Sequence, residues 1–230
     1  MSGCVAFSLA RCGQLDAAMF SIVAGAVFDF LDGMSARLLN VSSPIGKELD
    51  SLADVVTFGV APATMVFFEL SVMDYPASIE GARPWLPFTA YIMTAFSALR
   101  LANFNIDERQ TTSFIGLPTP ANALFWGSLL TGGKGILECP GHVIPGMPAA
   151  AMLPTLLVLA AVSCWLMNAE FPMFALKFKH YRWRGNEVRY VFLISCVPLA
   201  VVFGKASLAV IIAWYIVLSA YDSHNKTRRQ

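Results

Sequence analysis

Four aspartates stand at helical spacing in two neighbouring apolar segments of the chain. Asp29 and Asp32 lie in the first segment, and Asp50 and Asp54 lie in the second. At about 100° per residue, the members of each pair share one face of an α-helix. Because only the short segment 38–45 separates the helices, we expect an antiparallel pair whose acidic faces converge. Converging carboxylates repel one another unless cations lie between them, and oxygen-only ligands favour Mg²⁺, Mn²⁺ or Ca²⁺ over zinc.

Small and basic residues accompany the aspartates on the same faces. Gly33 and Ala36 follow Asp32 within a sector of about 100°, with Arg37 at its edge, and Gly46 shares the face of the second pair. Positions without a long side chain leave space for a ligand to approach the helix backbone. An arginine at the edge would pair with a phosphate or with a neighbouring carboxylate.

The chemistry that such a site favours is displacement at phosphorus. Two divalent cations held by shared carboxylates can clamp a diphosphate and stabilise both the attacking and the leaving oxygen. Asp54, one turn beyond Asp50, would remain free to accept the proton of an attacking hydroxyl as general base. Two other interpretations are a structural ion-pair cluster and an ion or proton path in a transporter. The fixed spacing of the whole pattern argues against both.

The composition indicates what kind of elements must position these groups. The chain has 230 residues, of which 57% are hydrophobic and 13% are charged, and its mean hydropathy is +0.61. A soluble fold of this size could not bury so much apolar surface, so the sequence indicates a membrane protein. The net charge of +1 gives no strong field for nucleic acid. Cysteines without CxxC pairs and histidines without ligand spacing indicate neither a disulfide framework nor a zinc site.

The apolar runs predict an all-α, polytopic transmembrane helical bundle with seven full spans and a partial first helix. The predicted spans are 17–37, 46–70, 85–104, 119–137, 148–168, 188–204 and 206–221. The run 3–10 is too short to span, and we interpret it as the end of a first helix truncated at its N-terminus by about 20 residues. Residues 1–221 are predicted to form a single membrane domain, followed by a cytoplasmic polar tail over 222–230.

The basic residues predict the orientation of the bundle. If the partial first helix begins in the cytoplasm, 12 of the 16 Lys and Arg residues fall on the cytoplasmic side and 4 on the other. This positive-inside bias predicts that the acidic faces meet near the cytoplasmic surface. In the connecting segment, Ser43 is the predicted N-cap of the second helix, with Pro44 at its first position.

The aspartate segments resemble, without departure, the signature of the CDP-alcohol phosphatidyltransferase family. The signature here reads Asp29-x2-Asp32-Gly33-x2-Ala36-Arg37-x8-Gly46-x3-Asp50-x3-Asp54. The resemblance implies that two divalent cations, Mg²⁺ or Mn²⁺, are bound by Asp29, Asp32, Asp50 and Asp54. It also implies that Asp54 is the catalytic base, and that the CDP moiety is contacted by Gly33, Ala36, Arg37 and Gly46.

Two further segments bear on the acceptor alcohol. Residues 98–105 (ALRLANFN) and 114–123 (FIGLPTPANA) are similar to segments of the phosphatidylserine synthase branch of this family. This resemblance implies CDP-diacylglycerol and L-serine as substrates and CMP as a product. Arg100 would offer a bidentate fork to the serine carboxylate, and the other interpretation is a snorkelling arginine at a cytoplasmic helix end. Pro118 and Pro120 predict a helix start.

Alternatives remain open both within and outside this family. The same signature fits another acceptor, such as glycerol 3-phosphate or an inositol phosphate. An ion-coupled membrane transporter or a structural membrane protein would also place acids in helices. The resemblance implies location in the inner (cytoplasmic) membrane of a cell, among membrane lipids, with the active site facing the cytoplasm. No nucleic-acid partner is expected, and formation of a homodimer is left open.

Overall fold

A computed structural model describes residues 1–40, 43–106, 114–132, 149–170, 172–173 and 186–228. The α-helices in this part of the chain are α1 (Ser2–Arg11), α2 (Leu15–Leu39), α3 (Pro44–Asp54), α4 (Ala61–Val72), α5 (Ile92–Ile106), α6 (Thr119–Gly132), α7 (Ala149–Asn168), α8 (Glu187–Phe203) and α9 (Ser207–Arg228). A π-helical segment, Val55–Val60, joins α3 to α4, and 3₁₀ turns cover Glu80–Ala82, Leu86–Tyr91 and Gly204–Ala206. One two-residue antiparallel pair joins β1 (Phe114–Ile115) to β2 (Pro172–Met173). The predicted all-α architecture is confirmed.

α3, the π segment and α4 form one continuous rod from Pro44 to Val72. Pro62, in the first turn of α4, explains the irregularity. Because proline has no N–H, it cannot donate the α-helical hydrogen bond to the carbonyl of Phe58, and the helix loosens there. The rod also changes character along its length, since α3 has no buried residue whereas residues 61–66 are all buried. The second half therefore packs in the core, and the acidic first half extends from it.

Two glycines let α1 and α2 close on the π segment. A Cβ on Gly3 would lie 2.6 Å from Thr57 Oγ1, and a Cβ on Gly25 would lie 2.6 Å from Thr57 Cγ2. No side chain fits at either position without displacement of a helix. Gly25 lies one helical turn before Asp29, and Thr57 lies three residues after Asp54. This contact therefore sets the distance between the two acidic segments.

α5 is fastened to the last turns of α7. Asn168 Nδ2 donates to the carbonyl oxygen of Phe96 at 3.0 Å. Ser97 Oγ lies 3.5 Å from Met167 Sδ, close enough for a weak hydrogen bond. The cavity that Met93 and Leu157 both line lies before these contacts along each helix, so α5 and α7 run parallel.

α8 and α9 form a hairpin at the end of the described chain. Gly204, between them, has φ +49°, a left-handed conformation that glycine adopts without a Cβ penalty. Trp214 Nε1 donates to Ser195 Oγ at 3.0 Å, and the rings of Phe192 and Tyr215 lie 5.7 Å apart. The chain therefore reverses at the division predicted between the last two spans.

Four helical stretches in the described ranges are long and apolar enough to cross a membrane: Leu15–Leu39, Pro44–Val72, Ala151–Asn168 and Glu187–Ser223. They identify a membrane protein. The predicted count of seven full spans is not confirmed, because only these four stretches of the described residues meet both criteria. Residues 133–137 of the predicted fourth span lie outside the described residues. α1 covers the run interpreted as a partial helix, and α9 continues into the predicted polar tail.

Candidate metal and phosphate site

Three of the four aspartates come together where α2 ends and α3 begins. This end of both helices is the one predicted to face the cytoplasm. Asp29, Asp32 and Asp50 each offer one carboxylate oxygen, and these oxygens all lie within 4.8 Å of one another. Asp29 is partly buried, and the other two side chains are exposed. Three negative charges at this distance repel one another, and a divalent cation with oxygen ligands relieves the repulsion. The cluster is therefore suited to a divalent metal.

The turn between α2 and α3 sets the approach of the two acidic faces. Asn40 ends α2 in the left-handed conformation, with φ +50°, which asparagine tolerates better than most residues. Ser43 Oγ accepts a hydrogen bond from Gly46 N at 3.1 Å, and Pro44 occupies the first turn. The predicted N-cap is confirmed. A Cβ on Gly46 would lie 2.9 Å from Ser43 Oγ, so the glycine preserves the space of the capping hydroxyl.

Asp54 stands beside the three-carboxylate cluster rather than within it. Its side chain is partly buried and interacts electrostatically with Asp29, Asp32 and Asp50. The sequence predicts that all four carboxylates converge, and the structure brings only three of them within 4.8 Å. The physical reason is the helical rise, because four residues beyond Asp50 place Asp54 about 6 Å further along the axis. It lies where α3 passes into the π segment.

The open face of α2 carries the other signature residues. Arg37 Nε donates to the carbonyl oxygen of Gly33 at 2.9 Å, so the guanidinium folds back on its own helix. Among the described residues, a Cβ on Gly33 would meet only Arg37 Nη2, at 3.9 Å, and Ala36 is exposed. This face is therefore accessible except where Arg37 covers it, and Arg37 forms no ion pair with a described residue.

Hydrogen bonds fix the level of α5 against the rod that carries Asp50 and Asp54. Lys47 Nζ donates to the carbonyl oxygen of Asn105 at 3.1 Å. At the other end of α5, Thr94 Oγ1 donates to the carbonyl oxygen of Gly59 at 3.2 Å. α5 thus runs antiparallel to the rod, and positions near 100 lie level with positions near 54.

Arg100 is buried at this level. Its residue exposure is 8%, and among the described residues its Nε has no hydrogen-bond partner. A snorkelling arginine extends its head group to the surface, so this burial argues against that interpretation. A buried guanidinium N–H without a partner is costly, and an anionic ligand would relieve that cost.

Sequence reasoning did not single out the contacts that hold the acidic segments in place. These are the approach of Gly25 to Thr57 and the link between Lys47 and Asn105. Gly25 is a glycine in a helix interior one turn before Asp29, and that is a signal that could have indicated close packing. Lys47 and Asn105 are 58 residues apart, so their hydrogen bond leaves no local pattern in the sequence.

Comparison with known proteins agrees with the aspartate signature. A family model described as CDP-alcohol phosphatidyltransferase matches residues 1–221. A protein of Helicobacter pylori strain 26695, named CDP-diacylglycerol--serine O-phosphatidyltransferase, is 30% identical over 206 residues, which are 89% of this chain and 78% of that protein. A protein of the same name from Bacillus subtilis is 42% identical over 107 residues, 46% of this chain. One from Saccharomyces cerevisiae, again with that name, is 34% identical over 152 residues, 58% of this chain. The chain spans 56% of the B. subtilis protein and 49% of the yeast protein.

Proposed function

The chain belongs to the CDP-alcohol phosphatidyltransferase family, and from that premise we propose that it transfers the phosphatidyl group of CDP-diacylglycerol to the hydroxyl of L-serine, releasing CMP. The observation that carries the proposal is the convergence of Asp29, Asp32 and Asp50 within 4.8 Å. The relatives from three organisms, each named for transfer to serine, support the choice of acceptor.

Members of this family depend on divalent metal, and the acidic cluster fits that dependence. We assign two cations, Mg²⁺ or Mn²⁺, to the four aspartates, Asp29, Asp32, Asp50 and Asp54. The donor set supports these metals, because every ligand in the cluster is a carboxylate. When bound, the cations supply charge neutralisation of the diphosphate and stabilisation of the leaving phosphate oxygen.

The open face of α2 supports a site for the CDP moiety. Gly33 and Ala36 on this face, and Gly46 in the first turn of α3, present backbone without long side chains, so a diphosphate can approach closely. The Arg37 guanidinium would exchange its bond to the Gly33 carbonyl, 2.9 Å long, for a charge-assisted bond to a phosphate oxygen.

The transfer needs a base beside the attacking hydroxyl, and we assign that role to Asp54. The serine oxygen forms a bond to the phosphorus that carries diacylglycerol, and the bond from that phosphorus to the CMP oxygen breaks. The hydroxyl proton passes to the Asp54 carboxylate, and the electron pair of the broken bond leaves with CMP. Asp54 suits this role because it lies beside the acidic cluster and is partly buried.

Arg100 is assigned to the carboxylate of serine. It is buried, its Nε is free of hydrogen bonds to described residues, and it lies level with Asp54. A planar guanidinium binds a carboxylate through two parallel hydrogen bonds. This arrangement would hold the serine hydroxyl near the proposed base.

The basic residues support an inner-membrane location with the site facing the cytoplasm. By sequence, 12 of the 16 lysines and arginines fall on the side where α2 and α3 meet. CDP-diacylglycerol would then reach the cluster from the cytoplasmic leaflet, and serine from the cytoplasm. The proposal holds for a monomer or for a homodimer.

The test is CMP release by the purified protein, reconstituted with CDP-diacylglycerol in lipid bilayers. Release should require both L-serine and Mg²⁺ or Mn²⁺, and glycerol 3-phosphate or inositol phosphate should not replace serine. Asp54→Asn should abolish release, whereas Glu48→Gln, on another face of α3, should retain it. Metal-independent release, or equal release with glycerol 3-phosphate, would contradict the proposal. Full activity in Asp54→Asn would remove the base assignment alone.

A further inference from the structure

Buried polar atoms without hydrogen-bond partners lie on α5, α6 and α7, three helices that contact one another. They are Arg100 Nε, Thr119 Oγ1, Asn122 Nδ2 and Oδ1, and Asn168 Oδ1. Thr119 is 1% exposed and Asn122 is fully buried. Folded proteins pair nearly all such atoms with protein groups, water or ligand. An asparagine with both amide atoms unpaired therefore indicates a partner that is not part of the described chain.

The polar face of α6 is turned toward α7. Thr119, Asn122 and Trp126 are three and four residues apart and so share one helix face. Trp126 Nε1 donates to Ser163 Oγ of α7 at 3.2 Å. One turn before Trp126, Asn122 therefore lies toward the C-terminal end of α7, because the two helices run antiparallel.

The start of α6 is held firmly against that end of α7. Leu117 N donates to the carbonyl oxygen of Leu166 at 2.9 Å. Gly116 has φ +74°, and a Cβ there would lie 2.6 Å from the carbonyl oxygen of Met167. α6 then begins at Thr119, which confirms the helix start predicted from the prolines. The first backbone N–H groups of α6, which have no partner within the helix, therefore lie at the same junction as the Thr119 side chain.

Asn168 connects this junction to α5 and to the proposed reaction site. Its Nδ2 donates to the carbonyl oxygen of Phe96, while its Oδ1 is left buried and unpaired. Arg100 follows Phe96 by one helical turn and lies level with Asp54. Measured along the helix axes, the unpaired groups of α6 and α7 therefore lie within about one helical turn of Arg100, the residue proposed to bind the serine carboxylate.

We propose that this junction binds the zwitterionic amino-acid head of the acceptor, and that Asn122 determines its specificity. The inference rests on the proposed function. The Oδ1 atoms of Asn122 and Asn168 accept hydrogen bonds from the ammonium group, while Arg100 and the start of α6 take the carboxylate. An acceptor that lacks an amino group leaves the buried amide oxygens unpaired, and that penalty rejects it.

The test compares Asn122→Leu and Thr119→Val with the wild-type chain in lipid bilayers. Each variant is assayed for KM toward L-serine, KM toward CDP-diacylglycerol, and turnover of 3-hydroxypropionate, which is serine without its amino group. In Asn122→Leu, KM for L-serine should rise about tenfold or more, the equivalent of one hydrogen bond, with KM for CDP-diacylglycerol changed less than about twofold. The preference for L-serine over 3-hydroxypropionate should fall by a similar factor. Thr119→Val, close in shape to threonine, should show a smaller rise in KM for L-serine.

Thr131→Val provides the matched control, since it removes a buried hydroxyl from the far end of α6, nine residues beyond Asn122. It should leave KM for L-serine and the preference unchanged. If Asn122→Leu and Thr119→Val both keep the wild-type KM and preference, the junction holds only water, and the inference is overturned while the proposed function stands. If the wild-type chain releases CMP with other alcohols but not with L-serine, both are overturned.

Discussion

Replacing Gly25 by alanine should loosen the acidic site while leaving the protein folded. The new Cβ would lie 2.6 Å from Thr57 Cγ2 and 2.7 Å from Ser2 Oγ. The Ser2 hydroxyl can rotate away, but Thr57 is held by a 3.0 Å hydrogen bond from its Oγ1 to the carbonyl oxygen of Ala53. Since ordinary contact begins at 3.4 Å, α2 must move about 0.8 Å from the π segment.

The energies of this substitution partly cancel, so stability is a poor readout of it. Overpacking costs about 1–3 kcal/mol, and alanine in place of glycine within a helix returns about 1 kcal/mol. The distance between Asp29 and Asp50 is more sensitive, because metal–ligand distances tolerate about 0.2 Å. We expect the affinity for Mn²⁺ to fall about 10- to 100-fold, the range seen when supporting contacts of a metal site are lost.

Mn²⁺ titration of the purified protein, followed by electron paramagnetic resonance, measures this effect, with thermal melting in parallel. Thr57→Ser removes the Cγ2 atom that the new Cβ would meet, so Gly25→Ala combined with Thr57→Ser should recover most of the affinity. Gly3→Ala offers the contrast, since its Cβ would lie 2.8 Å from the backbone Cα of Thr57 and gains nothing from that change. Unchanged Mn²⁺ affinity in Gly25→Ala, or no recovery in the double variant, would refute the reasoning.

Three further predictions concern single side chains of the site and its supports. Asp50→Asn should reduce Mn²⁺ affinity at least about tenfold in the same titration, whereas Glu48→Gln should not, because Asp50 belongs to the three-carboxylate cluster and Glu48 does not. Ser43→Ala should cost about 1 kcal/mol of stability by removing the cap of α3, measured as faster amide exchange at the start of that helix. Asn105→Ala should cost about 1 kcal/mol in denaturant unfolding by releasing its bond to Ser51 Oγ, and Ser51→Ala should cost the same, with no additional loss in the double variant.

The local features of the site were predictable because they depend on neighbours in the sequence. Ser43 and Pro44 predict the start of α3. The spacing of Asp29 and Asp32 places both on one face of α2, whatever that helix packs against. The short connection then dictates the antiparallel pair. Convergence of these carboxylates with Asp50 follows from helical periodicity and chain length alone.

What the sequence could not provide depends on contacts distant along the chain. The burial of Arg100 follows from the docking of α5 on the rod, and this docking is set by partners more than 30 positions away. The separation of Asp54 from the three-carboxylate cluster likewise needs three-dimensional distances. The count of seven spans likewise stays a prediction, because only four stretches of the described residues are long and apolar enough to cross a membrane. The unpaired amide of Asn122 is visible only once its neighbours are known.

The π segment gives the rod a rotational phase that a plain α-helix would lack. A π-helical turn holds about one residue more than an α-helical turn, so it offsets the residue pattern before it from the pattern after it by one position, or about 100° at α-helical pitch. Extending the α-helical pattern of the buried residues 61–66 back to Asp50 would therefore misplace the acidic face by that angle. Deleting one residue within Val55–Val60 should convert the segment to plain α-helix and leave Asp50 facing Asp29, whereas deleting one residue from the α-helical part between Asp50 and Val55 should rotate Asp50 away from Asp29. The direction in which the carboxylates point thus depends on residue count as well as on side-chain identity.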